Sequence, residues 1–155
     1  MNLNTQLHIF AAALLVLGAA TLTGCQSNRQ AGSYSHAAET IKGRSDAEIR
    51  QVTKSVFGED GYALVAEGPA FMAFQKPGTR RDAIKWGGWY GDGVAIRARV
   101  MMTALADNSC VLQLDMFAVR DASDPVFESE NRMLMVNKRP YRKLMDKIAK
   151  QLKAQ

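Results

Sequence analysis

The chain has 155 residues, 20 of them Lys or Arg and 15 Asp or Glu, which gives a net charge of +5. It contains only two cysteines and two histidines. Cys25 lies beside an N-terminal apolar run, and both His8 and His36 precede the first predicted element of the folded domain. Within that domain, the composition therefore excludes a zinc site of Cys and His ligands and a nucleophile activated by histidine.

The N-terminal apolar run, IFAAALLVL at residues 9–17, is followed by LTGC at residues 22–25. The run is shorter than the roughly 20 residues that cross a bilayer as a helix, and it has the length of the apolar core of a secretory signal peptide. The four residues that end at Cys25 resemble the lipobox of bacterial lipoproteins. This resemblance implies that the Cys25 thiol receives a diacylglyceryl group and that the signal peptide is removed before Cys25. It also implies that the new amino group is acylated, with fatty acids such as palmitate.

The same resemblance implies a location. Two or more acyl chains hold a protein stably on a membrane without a spanning helix. Gln26 follows the cysteine, and in Gram-negative lipoproteins residues other than Asp at this position favour transport to the outer membrane. We therefore expect an outer-membrane lipoprotein whose domain faces the periplasm, with the inner membrane and the cell surface as alternatives. Nucleic acid is not an expected partner of an exported protein.

These features divide the chain into a signal peptide at 1–24, a lipidated cysteine with a flexible tether at 25–44, and one domain at 45–155. The tether residues are polar and small, without apolar periodicity, and such composition is typical of segments that do not fold by themselves. Removal of 24 residues from 155 leaves 131, which is enough for one domain with its own core.

The first predicted element of the domain is a helix that begins at Ser45. Ser45 and Glu48 have the spacing of a capping box, and Gly58 is a natural stop. Apolar residues fall at helical spacing between them: Ile49, Val52, Val56 and Phe57. Two short strands, YALVAEG and AFMAFQ, are predicted next, joined by a tight turn at Gly68-Pro69.

The two clearest strands are VAIRARVMMTAL and CVLQLDMFAV, each with one apolar face. A hairpin between them requires an odd loop of three or five residues, because a one-residue slip moves every side chain to the other face. The five-residue loop places Arg99 opposite Asp115, a favourable cross-strand pair. Cys110 then lies on the apolar face, where we expect a buried, unreactive thiol, with a reactive or intermolecular thiol as the alternative.

A last strand is predicted around residues 132–136, and a final helix near Pro140 carries an apolar stripe: Tyr141, Leu144, Met145, Ile148 and Leu152. Together the elements predict an α+β two-layer sandwich with an N-terminal helix, an antiparallel meander of about four to five strands and a C-terminal helix. In its order of elements this resembles the helix-grip-type domains of some envelope lipoproteins, such as a subunit of the outer-membrane β-barrel assembly machinery.

The segment KWGGWYGDG contains both tryptophans of the chain among four glycines. If exposed, Trp86, Trp89 and Tyr90 offer flat apolar faces that suit sugar rings, peptides or a partner protein. If packed, they cover one end of the sheet. Both interpretations are open from the sequence.

Basic residues are concentrated near the C-terminus, where residues 132–155 carry eight Lys or Arg and one acid. Arg142, Lys143, Lys147 and Lys150 lie off the apolar stripe of the last helix and form either an ordinary solvated face or a surface for anionic lipid, lipopolysaccharide or an acidic partner. From all these features we expect a non-enzymatic accessory or scaffold lipoprotein that binds an envelope protein. A small-ligand or glycan-binding domain is the alternative. No catalytic residue, metal ligand or cofactor site is predicted.

Overall fold

A computed structural model of the chain describes residues 35–86, 93–122, 124, 126–134 and 138–154. These residues form six strands and three helices. In chain order they are β1 Ala37–Lys42, α1 Asp46–Glu59, β2 Ala63–Gly68, β3 Phe71–Pro77, α2 Arg80–Trp86, β4 Ala95–Ala104, β5 Ser109–Arg120, β6 Ser129–Arg132 and α3 Arg139–Ala154. None of the helices in these ranges is long and apolar enough to cross a membrane.

The strands form one antiparallel sheet in the order β1-β5-β4-β3-β2. The long strand β5 pairs along its whole length with β4, and its other edge is shared by two short strands. β1 pairs with residues 109–114 of β5, and β6 pairs with residues 117–120. One edge of β5 is therefore completed by segments from opposite ends of the domain.

Helix α1 begins as the sequence predicts. The Glu48 N–H donates to Ser45 Oγ at 3.3 Å, and the Ser45 N–H donates to Glu48 Oε2 at 2.8 Å, so the capping box is confirmed. The helix runs one residue past Gly58, and Gly61 takes the left-handed conformation, with φ of 81°, in the turn that follows.

The β4–β5 hairpin has the predicted register. Arg99 is opposite Asp115, and Ala104 is opposite Cys110, so five residues lie between the last paired positions. Asn108 turns the chain with φ of 58°, a conformation that Asn tolerates better than most residues. The hairpin keeps the apolar residues of both strands on one face, where they are buried: Ile96, Ala98, Val100, Met102, Leu112, Leu114 and Met116.

Helices α1 and α3 both pack on this apolar face and contact each other. Phe57 of α1 stacks on Phe74 of β3 with ring centroids 4.4 Å apart. The predicted stripe of α3 is buried in the same core, apart from Tyr141, which is partly buried. Each buried side chain of this kind stabilises the fold by about 1.5–3 kcal/mol. The predicted α+β two-layer fold is confirmed.

Two predictions about the extent of the elements are wrong. Residues 37–42, expected in the tether, form β1, and they bury Ala37 and Ile41 against the core. The domain therefore begins before residue 45, and β1 joins the five strands β2–β6 that lie between α1 and α3, which gives a sheet of six described strands. The last strand lies at residues 129–132 rather than 132–136, with Met133 and Leu134 outside it. Residues 25–34 of the predicted tether, and the signal peptide, lie outside the described residues.

Candidate functional site

One candidate site is a groove at the end of the sheet where Pro77 pairs with Ala95. Its volume is about 560 Å³, within the range of small-molecule pockets. We call it the tyrosine groove, since two tyrosines from distant segments line it. Its walls come from the C-terminal end of α1, the start of the β3–β4 connection and the first turns of α3. Residues that line it include Tyr62, Lys76, Asp82, Tyr141, Lys143 and Lys147.

The lining of the groove is largely aromatic and apolar. Tyr62 packs edge-on against Phe57 with ring centroids 5.3 Å apart, and burial raises its pKa well above the ordinary value. Burial also raises the pKa of Tyr141, whose hydroxyl donates to Met133 Sδ at 3.8 Å. Both phenols are therefore neutral at physiological pH and serve as aromatic surface rather than as bases.

The rim of the groove carries positively and negatively charged side chains, and most of them form ion pairs. Lys76 Nζ lies 3.0 Å from Asp60 Oδ2 and 4.1 Å from the centre of the Tyr62 ring. Lys147 pairs with Glu59, and the hydrogen bond from Lys147 lowers the Glu59 pKa. Lys143 has no carboxylate partner among the described residues. The groove thus offers an apolar floor with one free cation at its edge.

The predicted basic residues of α3 fall into two groups. Arg142, Lys143, Lys147 and Lys150 are all exposed, as the sequence predicts. Lys143 and Lys147 border the tyrosine groove. Arg142 instead lines a second cavity, of about 330 Å³, with Ser35 and His36. Lys150 lies about two helical turns beyond Arg142.

Of the predicted aromatic site, only Trp86 belongs to the described residues, and Trp89 and Tyr90 lie outside them. Trp86 is the last residue of α2 and is half-buried. Its carbonyl accepts a hydrogen bond from Arg120 Nε of β5, and Lys85 Nζ lies 4.9 Å from its ring centre. Its indole Nε1 is buried and has no hydrogen-bond partner. Trp86 is therefore attached to the end of the sheet next to the groove.

A buried histidine that the sequence analysis placed in the tether lies inside the domain. His36 is 1% exposed. The Met116 N–H donates to its Nδ1 at 3.3 Å, so the proton lies on Nε2, which donates to the Met133 carbonyl at 2.9 Å. The ring fills the gap between β1 and β6 on the edge of β5. The domain thus contains a histidine after all, with both ring nitrogens occupied by backbone groups.

The sheet face opposite the helices is joined by ion pairs. Arg97 contacts Glu128 at 2.6 Å, and hydrogen bonding between the two raises the Arg97 pKa and lowers the Glu128 pKa. Arg99 lies opposite Asp115, but its carboxylate partner is Glu130 of β6, at 3.0 Å. Asp115 pairs with Arg132. These contacts attach β6 and the residue before it to the rest of the sheet.

Cys110 lies on the core face as predicted, yet it is partly exposed rather than buried. Burial raises the pKa of its thiol. Cys25 lies outside the described residues. Across the described ranges, no three His, Cys, Asp or Glu side chains come together as metal ligands. Comparison with protein-family models, curated proteins and solved structures yields no match for this chain.

Proposed function

We propose that this chain is a lipid-anchored accessory lipoprotein of the bacterial envelope that binds a partner protein at the end of the sheet bearing the tyrosine groove. Three large apolar side chains at this end carry the proposal. Ile84, Val126 and Phe127 are 79%, 82% and 70% exposed. They belong to the β3–β4 and β5–β6 connections, which leave the sheet at the same end because Ala95 pairs with both Pro77 and Val119.

Exposed large apolar side chains beside a groove are typical of protein-binding surfaces, where a few buried anchors supply most of the affinity. The groove floor suits an apolar or aromatic side chain of the partner, and the free Lys143 at the rim suits an acidic one. We call this surface, formed by the tyrosine groove with Ile84, Val126 and Phe127, the partner end.

A non-enzymatic role agrees with the chemistry of the described residues. His36 has no free ring nitrogen for proton transfer, and the tyrosines of the groove are neutral. Membrane attachment rests on the lipobox at Cys25, and the outer membrane facing the periplasm is the location that Gln26 favours.

Site-specific photo-crosslinking in cells tests the proposal. A crosslinking amino acid is placed at Ile84 or Phe127, with Leu105 as the matched control because it is an exposed apolar residue in the hairpin at the opposite end of the sheet. We expect one protein to crosslink at both test positions and not at the control. Phe127→Ser should weaken the purified partner's binding at least about fivefold, as hot-spot residues do, and Leu105→Ser should not. Equal crosslinking at all three positions contradicts the proposal.

A small-ligand or glycan-binding function is the second candidate. The groove has the volume of a ligand pocket, and the segment with Trp86, Trp89 and Tyr90 follows the helix whose first turn borders it. A ligand held by these aromatics should change tryptophan fluorescence in a saturable manner, and Trp86→Ala should weaken the response. Unchanged fluorescence across a panel of envelope sugars argues against this candidate.

A further inference from the structure

The outer face of α3 is a continuous band of cations, which we call the basic stripe. At 3.6 residues per turn, its members lie off the buried side formed by Leu144, Ile148 and Leu152, with Lys147 nearest to it, and all are exposed. Asp146 is the one acid among them. The stripe consists of Arg139, Arg142, Lys143, Lys147, Lys150 and Lys153.

Most of these cations are not used by the fold. Lys147 pairs with Glu59, and among the described residues the other five have no carboxylate partner. The first turn of α3 contains no acidic residue, although negative charge is what stabilises a helix N-terminus. Positive charge in the first turns, at Arg139, Arg142 and Lys143, works against helix stability, so folding alone does not account for these three residues.

The chain enters the domain beside this helix. The His36 ring lies 5.6 Å from the Tyr141 ring, and Ser35 lines a cavity together with Arg142. Ser35 is ten residue steps from Cys25, and ten residues span at most about 33–36 Å. An anchor at Cys25 would therefore keep Ser35, which lines a cavity with Arg142 of α3, within that distance of the membrane surface.

We propose that the basic stripe, apart from Lys143 and Lys147 at the rim of the tyrosine groove, lies against the anionic lipid headgroups of the membrane that carries the anchor. The inference rests on the proposed lipidation of Cys25. A lipid surface is favoured over an acidic protein because none of the large exposed apolar residues lies on α3, whereas protein interfaces depend on apolar or aromatic anchors. A straight band of cations about 22 Å long, from 15 residues at 1.5 Å each, suits a flat charged surface.

Vesicle flotation with the non-acylated chain from Gln26 to Gln155 tests the stripe apart from the anchor. We expect binding to phosphatidylethanolamine vesicles that contain phosphatidylglycerol, and none to phosphatidylcholine vesicles. Binding should be strong at about 0.1 M salt and lost near 1 M, where the Debye length falls from about 10 to 3 Å.

Arg142→Gln with Lys150→Gln should weaken this binding about 25-fold, since each cation near an anionic surface contributes about 1 kcal/mol, or fivefold. Neither residue borders the tyrosine groove. The control, Arg80→Gln with Arg81→Gln on α2, has the same net charge and should change binding far less. Absence of binding at low salt, or equal weakening by both pairs, overturns the proposal.

Membrane fractionation of cells separates this outcome from failure of the anchor. If the full chain stays on membranes through Cys25 while the non-acylated chain does not bind anionic vesicles, the proposal for the basic stripe is wrong and the proposed anchor is supported. If the non-acylated chain binds as expected while Cys25→Ser leaves processing and attachment unchanged in cells, the anchor is wrong, and the stripe then binds lipid without orienting an anchored domain.

Discussion

His36 connects three segments through one ring. It occupies the gap between β1 and β6 and satisfies the backbone N–H of Met116 and the carbonyl of Met133. Replacement by alanine leaves both groups without a partner in a buried position, and each such group costs about 1–3 kcal/mol. We expect His36→Ala to lower the free energy of unfolding by about 2–4 kcal/mol in denaturant titrations of the chain from Gln26 to Gln155.

The control for this prediction is Thr40→Ala, an exposed position on the strand that follows His36, where changes usually stay within about 0.5 kcal/mol. Similar losses for the two variants would contradict the prediction that the His36 ring stabilises the fold.

Cys110 offers a second measurement on a single residue. Because burial raises its pKa, a smaller fraction of the thiol is ionised at neutral pH than in an exposed cysteine, and the thiolate is the reactive form. We expect slow labelling of the native protein by maleimide at pH 7. The labelling rate should rise with pH, and the midpoint of this rise should lie above the ordinary pKa of a thiol. Denaturation should restore fast labelling. A native rate equal to the denatured rate would place the thiol in solvent.

At the level of elements, β1 determines where the domain begins. A chain that starts at Ser45 lacks β1, which leaves the backbone of residues 109–114 unpaired on one edge and uncovers the core that Ala37 and Ile41 close. We expect this fragment to melt at a clearly lower temperature than the chain from Gln26, and to aggregate through the open edge. Equal melting temperatures in calorimetry would mean that the strand is dispensable.

The elements that could be predicted are those whose own residues show a recognisable pattern. The alternation of β4 and β5 fixes which side chains face the core, and the requirement to match the faces fixes the loop and the Arg99–Asp115 register. Ser45 and Glu48 mark the start of α1 for the same reason, since a capping box is a local interaction.

Two elements, β1, which was missed, and β6, which was predicted a few residues too late, depend on distant contacts. β6, with the sequence SENR, has no apolar residue, and it joins the sheet through Glu130 and Arg132, whose partners are Arg99 and Asp115. β1 interrupts its apolar face with Glu39. The tyrosine groove combines residues from α1, β3 and α3, so no single stretch of sequence indicates it, although sequence analysis names two residues that border it, Lys143 and Lys147.

For the whole molecule, the proposed attachment to the membrane depends on one thiol. If Cys25 is the lipidated residue, Cys25→Ser removes the acceptor of the diacylglyceryl group, and one acyl chain or none gives at most reversible membrane binding. We expect the variant to accumulate unprocessed or to leave the membrane fraction after a salt wash. Metabolic labelling with a fatty acid should mark the parent chain and not the variant. A variant that matures before residue 25 and still pellets would contradict the lipobox assignment.

Because His36 precedes β1 in the sequence, the two together determine how the domain responds to a mechanical force on its N-terminus. A pull transmitted from an anchored N-terminus reaches Ser35 first, then the two hydrogen bonds of the His36 ring, and only then the β1–β5 ladder from its Ala37–Leu114 end. A pull directed away from the sheet edge would open the strand one pair at a time instead of shearing all pairs together. The β1 edge of the sheet would therefore be the part of the domain that such tension unfolds first.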